Sequence, residues 1–181
     1  MKVNLSTYNN KHYKPGSFIK RGVWYFVNLI FFNSGFFPFY ALKVVILQLF
    51  GCKMGKNIFI KPKVNIKYPW LLKLGNNVWI GENVWIDNLD MVTIGNNVCI
   101  SQGAMLICGN HNYKKSTFDL MTNPIILEEG VWIGAKAIVT GGVTAYSHSV
   151  LTVNSVISKN MDAYAIYIGN PAIKTKMRSI L

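Results

Sequence analysis

An aliphatic residue returns at every sixth position through most of this chain. One series runs Met54, Ile60, Ile66, a second Leu74, Ile80, Ile86, and a third Ile94, Ile100, Leu106. After an interruption a fourth runs Leu127, Ile133, Val139, Ala145, Leu151, Ile157. The step between the first three series is eight, so equivalent positions recur twenty residues apart. Six is not a helical period, and simple strand alternation would not single out every sixth residue. A coil with three short flat sides fits both steps, the extra two residues falling at one corner of successive turns. A second apolar marker follows four places after the first: Ile58, Val64, Val78, Val84, Val98, Ala104, Val131, Ala137 and Val143. Both sets can point into a triangular prism whose coils stack in parallel and bury together what no single coil could bury.

Between the markers, Gly55-Lys56-Asn57, Gly75-Asn76-Asn77, Gly81-Glu82-Asn83 and Gly95-Asn96-Asn97 repeat a Gly-x-Asn pattern. Both residue types tolerate positive φ and tight turning, as the corners of such a coil demand. The expectation is an all-β parallel β-helix over 51–160. It has an N-terminal extension over 1–50, a loop at 107–126 that leaves the prism, and a short, basic, helical tail within 161–181.

The extension is the most apolar part of the chain. Val23 to Phe32 and Phe36 to Phe50 are rich in Phe, Tyr, Leu and Val, broken at Asn33-Ser34-Gly35 and Pro38. Neither piece reaches the roughly twenty apolar residues of a membrane span. Two short helices capping the open end of the coil are expected; a helix lying on a membrane surface through residues 18–50 is the alternative. Lys and Arg outnumber Asp and Glu by 19 to 7, which favours an anionic partner, yet no nucleic-acid motif accompanies them. The N-terminus lacks the apolar core of a signal peptide, and Cys52, Cys99 and Cys108 form no CxxC pair. Both point to a reducing, cytoplasmic setting.

The interruption, CGNHNYKKSTFDLMTNP, is polar and rich in turns, and loops on rigid scaffolds are where chemistry is usually placed. It holds His111, one of three histidines. A neutral imidazole suits removal of a hydroxyl proton during attack on an activated thioester. No G-x-S-x-G elbow is present, and direct transfer needs none. Read alone, a loop histidine is more often a surface residue than a catalyst, and His148 is read as a turn residue. His12, His111 and His148 lie too far apart in sequence to suggest a three-histidine metal site, so no metal is expected.

The stretch from Ile94 through His111, with Phe118-Asp119, Asn123-Pro124-Ile125 and Val131-Trp132-Ile133-Gly134-Ala135, resembles the hexapeptide-repeat acyltransferases. The closest likeness is to the colanic-acid-type O-acetyltransferases of exopolysaccharide assembly, with galactoside and maltose acetyltransferases more distant. The resemblance implies a left-handed coil, an exception to the usual crossover rule. It implies acetyl transfer from acetyl-CoA to a hydroxyl of a sugar or capsule precursor in a ternary complex, with His111 as general base. It also implies a homotrimer with coenzyme A between adjacent prisms. By position Gly134, Ala135, Val153, Ser158 and Lys159 would follow the pantetheine arm, and Lys174, Lys176 or Arg178 would meet the phosphoadenosine end. Trp132 is either groove lining or packing. Asn88 is a candidate for orienting the acceptor, a plain turn asparagine being the competing reading. Thr144 to His148 and Leu151 to Asn154 depart from the family's small-residue pattern, which weakens the Val153 contact. N-acylation of an amino sugar or amino acid, and a non-catalytic binding β-helix, stand as alternatives.

Overall fold

In the computed structural model, which describes residues 2–180, each hexapeptide places two apolar side chains inward around one that points out. Val78 and Ile80 are buried on either side of exposed Trp79, and Val131 and Ile133 on either side of Trp132. This is strand alternation, compressed into runs of two or three residues between turns. Every residue of both marker sets is buried except Met54, which is half-buried in the first coil.

The strands form three flat faces and make a parallel β-helix of about six turns. The first face stacks Lys53–Met54, Leu72–Leu74, Val92–Ile94, Ile125–Leu127 and Thr144–Ala145. The second stacks Phe59–Ile60, Trp79–Ile80, Cys99–Ile100, Trp132–Ile133, Val150–Leu151 and Ala165–Gly169. The third stacks Asn65–Ile66, Trp85–Asp87, Met105–Ile107, Ile138–Thr140 and Val156–Ile157. Register follows the sequence steps: Met54 lies beside Leu74 and Leu74 beside Ile94, twenty residues apart. Beyond the interruption Ile133 lies beside Leu151, eighteen apart. The two extra residues of the early turns sit at the third corner, in 67–71 and 87–91, whereas the later corner at 140–142 has none.

The Gly-x-Asn corners divide their labour. Asn57, Asn77, Asn83 and Asn97 take the left-handed conformation, at φ between 57° and 59°. The glycine answers a different need. A Cβ on Gly75 would lie 2.6 Å from the carbonyl carbon of Gly95 in the next coil, so it is the closeness of the coils that excludes a side chain. The Asn57, Asn77 and Asn97 carboxamides then bond in a ladder that ends on Glu129, each step 2.9–3.0 Å.

The open end is closed by α1 (Phe18–Val27), a π-turn over Asn28–Phe32 and α2 (Tyr40–Leu49). Ser17 caps α1 by accepting from the Lys20 amide. Trp24, Phe32 and Leu47 plug the prism, and Trp24 Nε1 donates to the Ile66 carbonyl at 2.8 Å. Lys43 is fully buried and donates to the Lys61 carbonyl at 2.9 Å. Among the described residues no helix is long and apolar enough to cross a membrane.

The tail expected to be helical is a strand. Ala172–Met177 turns back antiparallel onto Ala165–Gly169. The last parallel strand would otherwise leave a row of unpaired backbone groups at the prism's end, and pairing them outweighs the weak helical preference of Ile173 and Thr175.

Charge is divided as sharply as the architecture. Twelve of the Lys and Arg residues, and no Asp or Glu, lie in residues 1–81, while residues 82–181 carry seven of each sign. The whole net charge of +12 therefore belongs to the helical cap, the segment before it and the first coils.

Candidate active site

The interruption is a hairpin that leaves the third corner. Gly109–His111 pairs antiparallel with Leu120–Thr122, His111 opposite Leu120. The Asn112 amide donates to the Asp119 carbonyl at 2.8 Å, and Lys115 pairs with Asp119 at 3.1 Å across the tip. Where the hairpin crosses the coil below, Gly109 packs against the Leu89 side chain, whose Cδ1 a Cβ at 109 would displace.

His111 is held from two sides by Phe118. Its Nδ1 lies 2.9 Å from the Phe118 carbonyl oxygen, and the two rings stack at 4.4 Å with planes 7° apart. A carbonyl can only accept, so Nδ1 carries the proton and in the neutral ring Nε2 presents its lone pair. Phe118 adopts φ +50°, uncommon for a bulky residue, and so aims both its carbonyl and its ring at the imidazole.

Residues 2–17, which the sequence left without a role, form a strap across this corner. The Asn4 amide donates to the Ser116 carbonyl at 2.9 Å, Tyr13 Oη to the Leu89 carbonyl at 2.7 Å, and Trp70 Nε1 to the Pro15 carbonyl at 2.7 Å. Burial raises the Tyr13 pKa, keeping it a phenol donor. Tyr8 lies 5.9 Å from the His111 ring, centre to centre. Strap, third corner and hairpin enclose an open cleft of about 710 Å³ with His111 in its wall and Lys11, Tyr13, Lys14, Arg21 and Lys67 around it. Cys108, at the root of the hairpin, is buried, and burial pushes its thiol up to about 12, so it is no thiolate nucleophile at neutral pH.

The remaining sequence candidates are scattered. Asn88 is fully buried, and its carboxamide is spent on the neighbouring coil. It donates to the Tyr68 and Leu71 carbonyls at 2.6 and 3.1 Å and accepts from the Tyr68 amide at 3.0 Å. It is a corner brace; with no exposed atom it cannot orient an acceptor. Gly134, Ala135 and Val153 lie at the second corner, on another edge of the prism from His111. Gly134 is required for stacking, because a Cβ would meet the Val153 amide nitrogen at 2.6 Å. Ser158 and Lys159 are exposed at the third corner, two coils beyond the hairpin. The tail cations do not converge: Lys174 pairs with Asp162 at 3.0 Å, Arg178 donates to the Gly130 and His148 carbonyls at 2.9 and 3.2 Å, and Lys176 stays exposed. Trp132 is half exposed and donates to Ser101 Oγ at 2.9 Å. His148 occupies a left-handed corner and stacks on Tyr164. Phe118 and the strap were missed. A bulky residue at positive φ has no sequence signature, and the strap has neither period nor motif.

No family model matches the chain. It is 34% identical over 168 residues, 93% of its length, to a protein of Escherichia coli K12 named as a colanic acid biosynthesis acetyltransferase, WcaF, covering 92% of that protein. Its fold matches the hexapeptide-repeat acetyltransferase VCA0836 of Vibrio cholerae, solved with acetyl coenzyme A, with a TM-score of 0.81 at 18% identity over 97% of both chains. A galactoside acetyltransferase solved with coenzyme A gives a TM-score of 0.79 at 23% identity, with 89% of this chain and 82% of that one covered. A relative of this identity over nearly the full length, on a coil built from the same six-residue step, places the chain in the hexapeptide-repeat acetyltransferase family.

Proposed function

We propose that the protein moves an acetyl group from acetyl-CoA to a hydroxyl of a sugar or polysaccharide precursor, with Nε2 of His111 as the general base. The observation that carries this reading is the bond from Nδ1 to the Phe118 carbonyl, which fixes the tautomer and leaves Nε2 to accept a proton within the cleft. The acceptor oxygen attacks the thioester carbonyl carbon as its proton passes to Nε2. The tetrahedral intermediate collapses with cleavage of the C–S bond, and the same proton goes on to the leaving thiolate. The buried, protonated Cys108 supports direct transfer over an acyl-enzyme. Transfer to a sugar also accords with the colanic acid assignment of the WcaF relative.

The donor is read as lying between two prisms of a trimer. His111 and the second-corner residues Gly134, Ala135 and Val153 sit on different edges, so one chain alone does not join them around a thioester. The exposed Phe59, Trp79 and Trp132 of the second face supply apolar surface for a neighbour. The cap is read as resting on the cytoplasmic face of a membrane. Thirteen large apolar side chains between Phe18 and Leu49 are exposed in a region that carries only positive charge.

The deciding experiment follows free coenzyme A release from acetyl-CoA with a panel of sugars and glycan precursors. His111→Ala is expected to lower kcat by about 10²–10⁴ with the fold intact. Wild-type turnover by that variant would overturn the mechanism. Sedimentation of the active species as a monomer would overturn the shared site.

A further inference from the structure

The cleft beside His111 has an electrostatic character that acetyl transfer to a neutral sugar does not require. Its rim carries Lys11 and Lys14 from the strap, Arg21 from α1 and Lys67 from the first coil, and no carboxylate lines it. Lys67 is already paired with Asp87 at 2.9 Å. Arg21 is not. No carboxylate lies within ion-pair distance of it among the described residues, and its Nε is buried without a hydrogen-bond partner. A guanidinium held in this way keeps unused donors and has lost part of its water, which is costly unless something anionic completes it.

Arg21, Lys67 and Tyr68 also border an adjoining cleft of about 340 Å³, so they form the partition between the two spaces. Arg21 is half-buried on the first turn of α1, and that helix is fixed by the Trp24 bond to Ile66. The guanidinium is therefore positioned by the same plug that closes the prism.

We propose that the acceptor carries an oxyanion, a phosphate or a carboxylate, and that Arg21 with Lys67, Lys14 and Lys11 binds it so that the hydroxyl to be acetylated lies at His111. This rests on the reading of His111 as the base. A guanidinium offers two parallel N–H donors to such a group, and the lysines add charge with little geometric demand. The anion belongs to the acceptor and not to coenzyme A because of where the cations lie along the prism. They are on the N-terminal side of the hairpin, whereas Gly134, Ala135, Val153 and Lys159 lie in the coils on its C-terminal side. Arg21 is on this account a specificity residue, acting on affinity for the acceptor.

The test compares matched neutral and anionic probes on the full-length protein: glucose against glucose 1-phosphate, and glucose against glucuronate. Binding is measured by calorimetry and turnover by coenzyme A release. The anionic member of at least one pair is expected to bind roughly tenfold or more tightly, with the preference shrinking as salt is raised. The pair that responds distinguishes phosphate from carboxylate. Arg21→Gln is expected to abolish the preference through acceptor affinity and acceptor KM, and Arg21→Lys to restore part of it. His111→Ala is expected to keep the preference in binding while losing turnover, so failure of the catalytic reading and failure of the anion site are told apart. If Arg21→Gln does not fold, the paired variant Lys11→Gln, Lys14→Gln tests the same prediction with exposed side chains only. Equal binding of neutral and anionic probes by the wild type would overturn the proposal. So would a change confined to the acetyl-CoA KM in Arg21→Gln.

Discussion

His111 and Phe118 act as one unit, and its weak point is backbone conformation. Phe118 keeps its left-handed φ because the short hairpin pins both flanks, through the Asn112–Asp119 bond and the pairing of His111 with Leu120. Phe118→Gly would keep the carbonyl and suit that φ, but would lose the ring that holds the imidazole flat. We expect kcat to fall by about tenfold with the unfolding midpoint nearly unchanged, a split read from steady-state kinetics beside thermal melts. Unchanged kcat would mean that the carbonyl alone orients the base. Cys108 gives the opposite expectation. Its thiol is buried and protonated, so Cys108→Ala should keep kcat within about threefold while costing some stability from the lost packing. A thousandfold loss in that variant would bring an acyl-enzyme back into consideration.

Among the elements, α2 holds the one lysine of the described residues with no exposed surface. Burial lowers the Lys43 pKa to about 8, from 10.5 in an exposed lysine. Between those two values the unfolded chain binds a proton that the folded chain has released, so stability rises with pH across that window and levels off above it. Lys43→Met should remove that rise, and should leave the protein at least as stable at pH 7, where the wild type holds a desolvated charge against one carbonyl. The difference between wild-type and Lys43→Met denaturation midpoints from pH 7 to 10.5 isolates this group from the buried thiols of Cys52 and Cys108. Those are held protonated up to about 12 and change stability in the opposite direction above pH 9. A flat difference would mean that Lys43 reaches water. The coil itself was legible residue by residue, because a position in every six must be apolar for a two-residue strand to face inward, and Ile60, Ile80 and Ile100 meet that demand without exception. The tail was not legible, since whether Ile173 to Met177 forms helix or strand depends on the open edge beside it. Asn88 was misread for a related reason: a corner asparagine that braces the next coil and one that faces a ligand look the same in sequence.

For the whole molecule, the site is the meeting of parts distant in sequence. The hairpin could be located because it breaks the step of six. The strap could not, since its anchors at Ser116, Leu89 and Trp70 are set by tertiary contact and not by local pattern. The cap and strap also decide how the molecule meets its surroundings. Co-sedimentation with vesicles of phosphatidylglycerol and phosphatidylethanolamine should retain the protein at low salt and release much of it by about 0.5 M salt. Vesicles of phosphatidylcholine alone should retain little. Equal retention on both would assign the exposed aromatic residues of 18–49 to another chain.

The confinement of all excess charge to residues 1–81 makes the prism an electric dipole directed along its own axis. In solution such a body does not approach a negatively charged object at random. It rotates during the approach and arrives cap first, as the field of that object extends roughly one Debye length into physiological buffer. The third-corner cleft lies near the charged end, so the torque that turns the cap toward an anionic surface would also bring His111 close to whatever that surface carries.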